Sequence, residues 1–259
     1  MTRAATRRAY MKHRALMRER GLWNPRTDAE PVRAHVVQLR EAGLSLAVIA
    51  ELADVTIRSV VYLMYGEPSA GKAPSSTVPT EKARKLLAVK PTLDRMRDTV
   101  AVDASGTKRR IQALAALGWS ARALALRCGR SQNEFTRILN QDRRVLASTA
   151  RLVRDLYDEL WDQPAPTSSL GERISASRAL TMAARNGWPR PQEWDDDLID
   201  LTDAELKAEL RRQAEAMSDA ELHRCRRARQ EQGDLSPLVV EAVREYRRRR
   251  ARKRRQVKV

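Results

Sequence analysis

The feature that most constrains this chain is a pattern that occurs twice. Residues 32–65 align with residues 107–140 at a shift of 75, without a gap. The shared positions are capping hydroxyls, one glycine, one small alanine and apolar residues at helical spacing. The matched pairs are Val36/Ile111, Leu39/Leu114, Gly43/Gly118, Ser45/Ser120, Ile49/Leu124, Ala50/Ala125, Thr56/Ser131, Val60/Phe135 and Leu63/Ile138. Because caps, turn and core recur together, the sequence predicts one fold present twice.

The second copy has the clearer local pattern, in residues 120–140. Ser120 and Ser131 are placed to cap two short helices. Gly129 lies between them, where a tight turn needs a positive φ that glycine adopts without strain. Two capped helices across such a turn are typical of the helix-turn-helix motif. The first copy has Asp54 at the glycine position, so we expect the second copy to be the better-formed one.

The repeat continues beyond the motif with a different offset. Residues 66–79 of the first copy are rich in Gly, Pro and Ser, which predicts a flexible loop. After it the two copies align at a shift of 67, so the first copy carries eight extra loop residues. A further helix is predicted in each copy, over residues 80–89 and 147–161. Each unit is therefore expected to be a compact head of about four helices.

The predicted fold class is all-α: two repressor-like helix-turn-helix heads in tandem, followed by a small C-terminal helical region with a basic tail. Ala, Leu, Arg and Glu dominate, while aromatic residues are 4% of the chain. The predicted segments are a basic N-terminal arm or helix (1–31), the first head (32–90), a connector (91–106), the second head (107–162), a Trp-containing extension (163–200) and C-terminal helices with the basic tail (201–259).

The positive charge lies mainly at the two ends. The net charge is +17; residues 1–20 carry +6 and residues 243–259 carry +9. Such basicity favours a polyanionic partner, most often nucleic acid. The N-terminus lacks the apolar core of a signal peptide, and no apolar run approaches eighteen residues. We therefore expect a cytoplasmic, nucleoid-associated protein with no membrane partner.

Catalytic and metal-binding patterns are not evident. The histidines and the two cysteines have no partners at metal-ligand spacing, and Cys128 is expected to be a small buried hydrophobe. The aspartates of residues 195–203 resemble a two-metal site only in number, since they precede a helix start where acids complement the dipole. The sequence predicts no enzyme, no cofactor and no metal. Trp188 and Trp194 either anchor the extension or form a base-stacking surface.

The residues predicted to contact DNA lie at the start of each second helix and at the caps. In the second copy Gln132 and Asn133 suit adenine, Arg137 suits guanine, and Glu134 suits cytosine or orients Arg137. In the first copy the corresponding residues differ, which predicts a different preferred sequence. The full set is Thr56, Ile57, Arg58, Ser59, Tyr62, Ser120, Ser131, Gln132, Asn133, Glu134 and Arg137. The hydroxyls of Ser45, Thr56, Ser120 and Ser131 are expected to donate to phosphates, which positions the heads without reading sequence.

Several stretches of the chain resemble a known family of proteins. Residues 102–120 (VDASGTKRRIQALAALGWS) look like the second unit of tandem helix-turn-helix DNA-binding proteins of high-GC Gram-positive bacteria and their phages. Further similar stretches are residues 31–36 (PVRAHV), 156–161 (LYDELW), 185–189 (RNGWP) and 194–197 (WDDD). The resemblance covers about residues 8–200 and implies regulatory DNA binding. The long basic C-terminal extension departs from it.

The sequence thus predicts a transcriptional regulator that recognises a bipartite site on double-stranded DNA, with a possible homodimer through the C-terminal helices. One alternative is a phage or plasmid packaging or partition adaptor, similar to a terminase small subunit. Light scattering separates the two, because a ring of many subunits favours the adaptor. Another alternative is non-specific coating of DNA through the basic tails.

Overall fold

The computed structural model describes residues 3–21, 25–67, 70–141 and 143–256. The described chain is mostly helical, with two small two-stranded sheets. This agrees with the predicted all-α class. The chain divides into two compact units, Met1–Arg97 and Asp98–Val259.

The described part of the first unit contains five helices, a short strand pair and a 3₁₀ turn. Its elements are α1 (Arg3–Glu19), β1 (Arg26–Asp28), α2 (Glu30–Glu41), α3 (Leu46–Leu52), α4 (Ile57–Tyr65), β2 (Thr77–Pro79), α5 (Thr80–Leu87) and a 3₁₀ turn at Leu93–Arg95.

The second unit starts with the same order of elements and then continues. Its elements are β3 (Ala101–Asp103), α6 (Ser105–Ala115), α7 (Ala121–Arg127), α8 (Gln132–Asn140), β4 (Arg144–Leu146), α9 (Ala147–Leu160), α10 (Leu170–Asn186), a 3₁₀ turn at Pro191–Glu193, α11 (Asp203–Ala216), α12 (Asp219–Arg227), a π-helical turn at Ala228–Gln232 and α13 (Pro237–Gln256).

The sequence repeat is also a repeat of elements. A shift of 75 residues carries β1, α3 and α4 onto β3, α7 and α8 with identical bounds, and a shift of 67 carries β2 onto β4. The antiparallel strands were not predicted. Thr27 pairs with Val78 in the first unit, and Val102 pairs with Val145 in the second. The repeated fold therefore begins at its strand, upstream of residues 32 and 107.

The start of the first repeat helix is set by an aspartate in each copy. Asp28 accepts a hydrogen bond from the Glu30 amide at 3.1 Å, and Asp103 accepts one from the Ser105 amide at 2.8 Å. Thr107 therefore lies within α6 and is not its cap. An Asx turn two residues upstream supplies the acceptor that the free amides need.

The apolar positions of the repeat form the two cores. Val36, Leu39, Ile49, Val60 and Leu63 are at most 5% exposed. Their counterparts in the second unit are at most 1% exposed: Ile111, Leu114, Leu124, Phe135 and Ile138. In each unit these side chains come from three successive helices, α2 to α4 or α6 to α8, and their burial together fixes how the three helices pack.

The turn between the paired helices has the same backbone geometry in both copies. Gly129 has a φ of +62° and Asp54 a φ of +49°. Aspartate tolerates this left-handed region better than most residues, because its short side chain bonds locally. In this protein the Asp54 carboxylate accepts a hydrogen bond from a more distant residue, Lys85 of α5, whose Nζ lies at 2.6 Å. Loss of the turn glycine has therefore not changed the turn of the first copy.

We expect Gly129→Ala to lower the free energy of unfolding by about 1 kcal/mol, because a Cβ in the left-handed region costs roughly 1–2 kcal/mol and restriction of the unfolded chain offsets part of it. No atom lies within 4 Å of the new Cβ, so the cost is one of backbone conformation. Urea denaturation measures it. Gly171→Ala is the matched control, since that site is also open but has no positive φ. Equal destabilisation by both variants would contradict the assignment.

The extension beyond α9 packs against the second head through buried arginines of α6. Arg109 donates to the carbonyls of Ile199 and Leu201 and pairs with Asp203, while Arg110 pairs with Asp200. The guanidinium of Arg109 also lies 5.7 Å from the centre of the Trp194 ring. Two members of the acidic cluster thus neutralise buried arginines, and Trp194 anchors its segment on this unit.

Helix α10, the first helix of the extension, begins at Leu170 with a capped end. Ser169 and Glu172 form a capping box, with the Ser169 hydroxyl accepting from the Glu172 amide and the Glu172 carboxylate accepting from the Ser169 amide. This cap lies at the end of a Pro- and Ser-rich stretch, residues 163–171, and a serine followed three residues later by glutamate is the sequence pattern of such a cap.

The C-terminal helices form a small bundle whose last helix includes the predicted basic tail. Two capping boxes, Thr202/Glu205 and Ser218/Glu221, start α11 and α12. Leu210, Ala214, Leu222 and Ala242 are buried between the helices. Helix α13 continues to Gln256, so the tail is helical up to that residue rather than an irregular end. In the part of the chain that the structure describes, no helix combines the length and the apolar character needed to span a membrane.

Candidate nucleic-acid interface

Helix α8 separates its buried and exposed side chains sharply. Phe135 and Ile138 are at most 1% exposed and pack into the core. On the other side Gln132, Asn133 and Arg137 are exposed. Three of the predicted contact residues therefore lie together on the solvent side of a helix that its buried face holds in place.

Two further predicted residues of the second copy have local roles. Ser131 is exposed and caps α8 by accepting from the Glu134 amide at 3.2 Å. Glu134 itself is half-buried and accepts a hydrogen bond from the Thr149 hydroxyl at 2.9 Å. Thr149 is fully buried at the start of α9. The Glu134 carboxylate is thus directed at α9, not at the solvent side where Gln132 and Asn133 lie.

Ser120 is partly covered by the extension. It caps α7 by accepting from the Ala123 amide at 3.3 Å, and its hydroxyl also accepts from Ser175 of α10 at 2.9 Å. The side chain is half-buried, whereas its counterpart Ser45 is exposed. Sequence reasoning treated the two serines alike, because the repeat does not include α10.

In the first copy, the polar contact candidates bond to one another. Thr56 caps α4 and shares a hydrogen bond of 2.8 Å with the Ser59 hydroxyl, which also accepts from Lys82 Nζ at 2.8 Å. Ser59 is therefore directed at α5, as Glu134 is at α9 in the second copy. Ile57 is 51% exposed and has no polar role.

Arg58 and Tyr62 belong to a hydrogen-bonded chain that ends in the inserted loop. Arg58 Nε donates to the Tyr62 hydroxyl at 2.6 Å, and this hydroxyl donates to Glu67 at 3.0 Å. Lys72 donates to the other oxygen of Glu67 at 3.2 Å. Because Tyr62 and then Lys72 donate to it, the pKa of the Glu67 carboxyl lies below its usual range. The carboxylate therefore keeps its charge beside Arg58 at neutral pH.

The same contacts anchor the loop that the sequence predicts to be flexible. The amides and carbonyls of Glu67 and Lys72 bond in both directions, at 2.9 and 3.1 Å. Gly66 precedes this bridge with a φ of +70°, and a Cβ there would lie 2.2 Å from the Lys72 carbonyl oxygen. The described residues at the base of the loop thus have a defined conformation, because a close backbone approach holds them.

We expect Glu67→Gln to steepen the salt dependence of DNA binding, by up to about 0.9 in the slope of log K against log salt, the value for one additional phosphate contact. The substitution removes the negative charge 3.7 Å from the Arg58 guanidinium and leaves Arg58 available to a phosphate. Fluorescence anisotropy on a random-sequence duplex measures the slope. Glu81→Gln is the matched control, because it removes a carboxylate paired with Arg84 on the exposed face of α5. A slope equal to wild type in both variants would contradict the role given to Glu67.

The two copies differ most in the charge around their paired helices. Residues 120–146 contain six arginines and two acids, a net charge of +4. Every one of these arginines has an uncharged counterpart in the first copy, where residues 45–79 carry a net charge of −1. The pairs are Arg122/Ala47, Arg127/Leu52, Arg130/Val55, Arg137/Tyr62, Arg143/Ser76 and Arg144/Thr77.

Several of these arginines are exposed on the second head. Arg122 and Arg143 are exposed, and neither was among the predicted contact residues. Arg127 is 45% exposed, although Glu159 accepts from it at 2.9 Å. The signal that would have found them is the difference between the copies: a charge absent from one repeat is not required by the shared fold.

Other reactive groups have structural surroundings. The thiol of Cys128 is half-buried, and burial raises its pKa. A ring nitrogen of His35 lies 3.1 Å from the Val89 carbonyl oxygen. Among the residues that the structure describes, no group of His, Cys, Asp and Glu is arranged to hold a metal ion.

Comparison of this chain with protein-family models, with curated proteins and with solved structures gives no match. Its function is therefore argued from its own residues.

Proposed function

We propose that this chain is a sequence-specific double-stranded DNA-binding protein, a repressor-like transcriptional regulator, with two tandem helix-turn-helix units. Helix α8 is its principal recognition helix. The observation that carries the proposal is the exposed start of α8, where Gln132 and Asn133 lie within a segment of net charge +4. Recognition helices present their first residues to base edges in the major groove.

The chemistry of these side chains suits base reading. An amide of glutamine or asparagine pairs bidentately with adenine N6 and N7, and arginine pairs with guanine O6 and N7. Gln132 and Asn133 lie in the first turn of α8, and Arg137 lies one turn further on. The arginines of residues 120–146 neutralise phosphates, which gives affinity without sequence preference.

The first unit contacts a different half-site of the DNA and has a weaker base preference. Ile57 offers an apolar surface for a thymine methyl group. Arg58 is engaged by Tyr62 and Glu67, so a phosphate or base must compete for it. The preferred site is therefore asymmetric, with most discrimination in the half that α8 contacts.

Selection of bound duplexes from a random pool tests this function. We expect one enriched sequence with two unlike elements, the more strongly enriched one containing adenine and guanine positions. With 6–10 phosphate contacts, log K falls with log salt by about 0.9 per contact. Salt-dependent binding without any enriched sequence would overturn the proposal.

A further inference from the structure

Helix α13 carries two kinds of arginine, which differ in their partners. Arg248 pairs with Glu241 and Glu245, and Arg249 pairs with Glu245 and Asp219. The carboxylates of Glu241 and Glu245 are 10% and 3% exposed, so these pairs lie against the bundle. This set of cations serves the packing of α13 on its neighbours.

The second set is directed away from the bundle. Arg247, Arg250 and Arg254 are exposed, and no hydrogen bond or ion pair to another described residue engages them. At 100° per residue they lie within about 60° of one another around the helix, and they span about 10 Å along it. They form a basic stripe, defined by these three residues, on the solvent side of α13.

Such a stripe is unfavourable by itself. Like charges three and four residues apart destabilise a helix, and no acid of the described bundle offsets these three. The ion pairs of Arg248 and Arg249 hold the helix together from its inner side. An external polyanion would relieve the outer repulsion, and the inner ion pairs fix the positions of the arginines in its absence.

We propose that the basic stripe is a second DNA-binding surface, which contacts the phosphate backbone of duplex DNA without sequence preference. The stripe raises the affinity for duplex DNA of any sequence and the time that the protein stays bound to it. Its phosphate contacts do not depend on the base recognition proposed for α8. The ligand is a row of regularly spaced phosphates. Such a row matches three arginines spread along one helix better than a single anion does.

Two other polyanions fit the surface less well. A helix that lies on a membrane needs an apolar face for the lipid, but Ala242 of α13 is fully buried in the bundle and the stripe itself has no apolar member. Single-stranded nucleic acid is held by stacking on aromatic rings. The aromatic side chain of α13, Tyr246, is instead packed edge-on against His223, at 4.8 Å between ring centres.

The test is a charge-matched comparison in the full chain. The variant Arg247→Ala/Arg250→Ala/Arg254→Ala removes three charges from the stripe, and Lys207→Ala/Arg211→Ala/Arg212→Ala removes three exposed charges from α11. Anisotropy on a random-sequence 30-base-pair duplex across a salt series gives the slope of log K. We expect the stripe variant to lower that slope by about 2.7, or 0.9 for each lost contact, and the α11 variant to leave it unchanged.

Several outcomes overturn the inference. One is an equal change in both variants, which would show an effect of net charge alone. Another is an unchanged slope on duplex DNA with lost binding to phosphatidylserine vesicles or to duplex RNA. Circular dichroism checks that both variants stay helical. The function proposed for α8 fails separately, by the absence of an enriched sequence for the wild-type chain.

Discussion

Replacement of both Gln132 and Asn133 by alanine is expected to abolish most of the sequence preference and to leave salt-dependent background binding intact. Each bidentate amide–adenine pair discriminates by about 1–3 kcal/mol, so losing two lowers the preference roughly 30-fold or more. The arginines proposed to contact phosphates remain in place, so we expect the affinity for a random duplex to stay close to wild type. Competition between the selected duplex and a scrambled duplex measures both quantities.

The side chains suit this experiment because their removal does not disturb the fold. Both are exposed, whereas the anchoring face of α8 lies on Phe135 and Ile138. Alanine also favours the helix. The matched control is Ile57→Ala/Arg58→Ala on the first copy. We expect it to relax the other half-site by a smaller factor.

The assignment of α8 is wrong if specific and background affinity fall by the same factor in the Gln132/Asn133 variant. It is also wrong if the first-copy variant causes the larger loss of preference. Either result would transfer base reading to another surface. The salt slope distinguishes these cases from a general loss of folded protein, because it counts phosphate contacts and not active concentration.

The repeat made much of the fold predictable. Caps such as Ser45 and Ser131, and core positions such as Leu39 and Phe135, are set by local hydrogen bonding and by helical period, which one sequence displays twice. The strands could not be found in this way. Each has three residues, which is too short for an alternating pattern, and each pairs with a partner more than forty residues away.

The site was less predictable, because its details depend on contacts outside the repeat. The orientation of Glu134 is set by Thr149, and the cover over Ser120 is set by Ser175 of α10. Arg58 is engaged through Glu67, a residue of the loop that is eight residues longer in the first copy than in the second. Helical spacing gives the face on which a residue lies but not which distant side chain bonds to it.

Phe135→Ala is expected to produce the largest loss of stability among single substitutions of the second head. Phe135 is fully buried, and truncating a buried phenylalanine to alanine costs about 3–5 kcal/mol through lost transfer energy and the remaining cavity. Its side chain holds α8 on the core from the face opposite Asn133. Urea denaturation followed by circular dichroism measures the change, and anisotropy on the selected duplex reports whether the contact face is still presented.

Leu126→Ala provides the comparison on the neighbouring helix α7. Leu126 is also apolar but 78% exposed, so its truncation is expected to change stability by no more than about 0.5 kcal/mol. If Phe135→Ala cost as little as Leu126→Ala, α8 would not be anchored by its buried face. The amide side chains at its start would then lack the fixed positions that bidentate base reading needs. A large loss of stability in Phe135→Ala, without one in Leu126→Ala, supports the argument that the core of the second head orients Gln132 and Asn133, the residues proposed to contact bases.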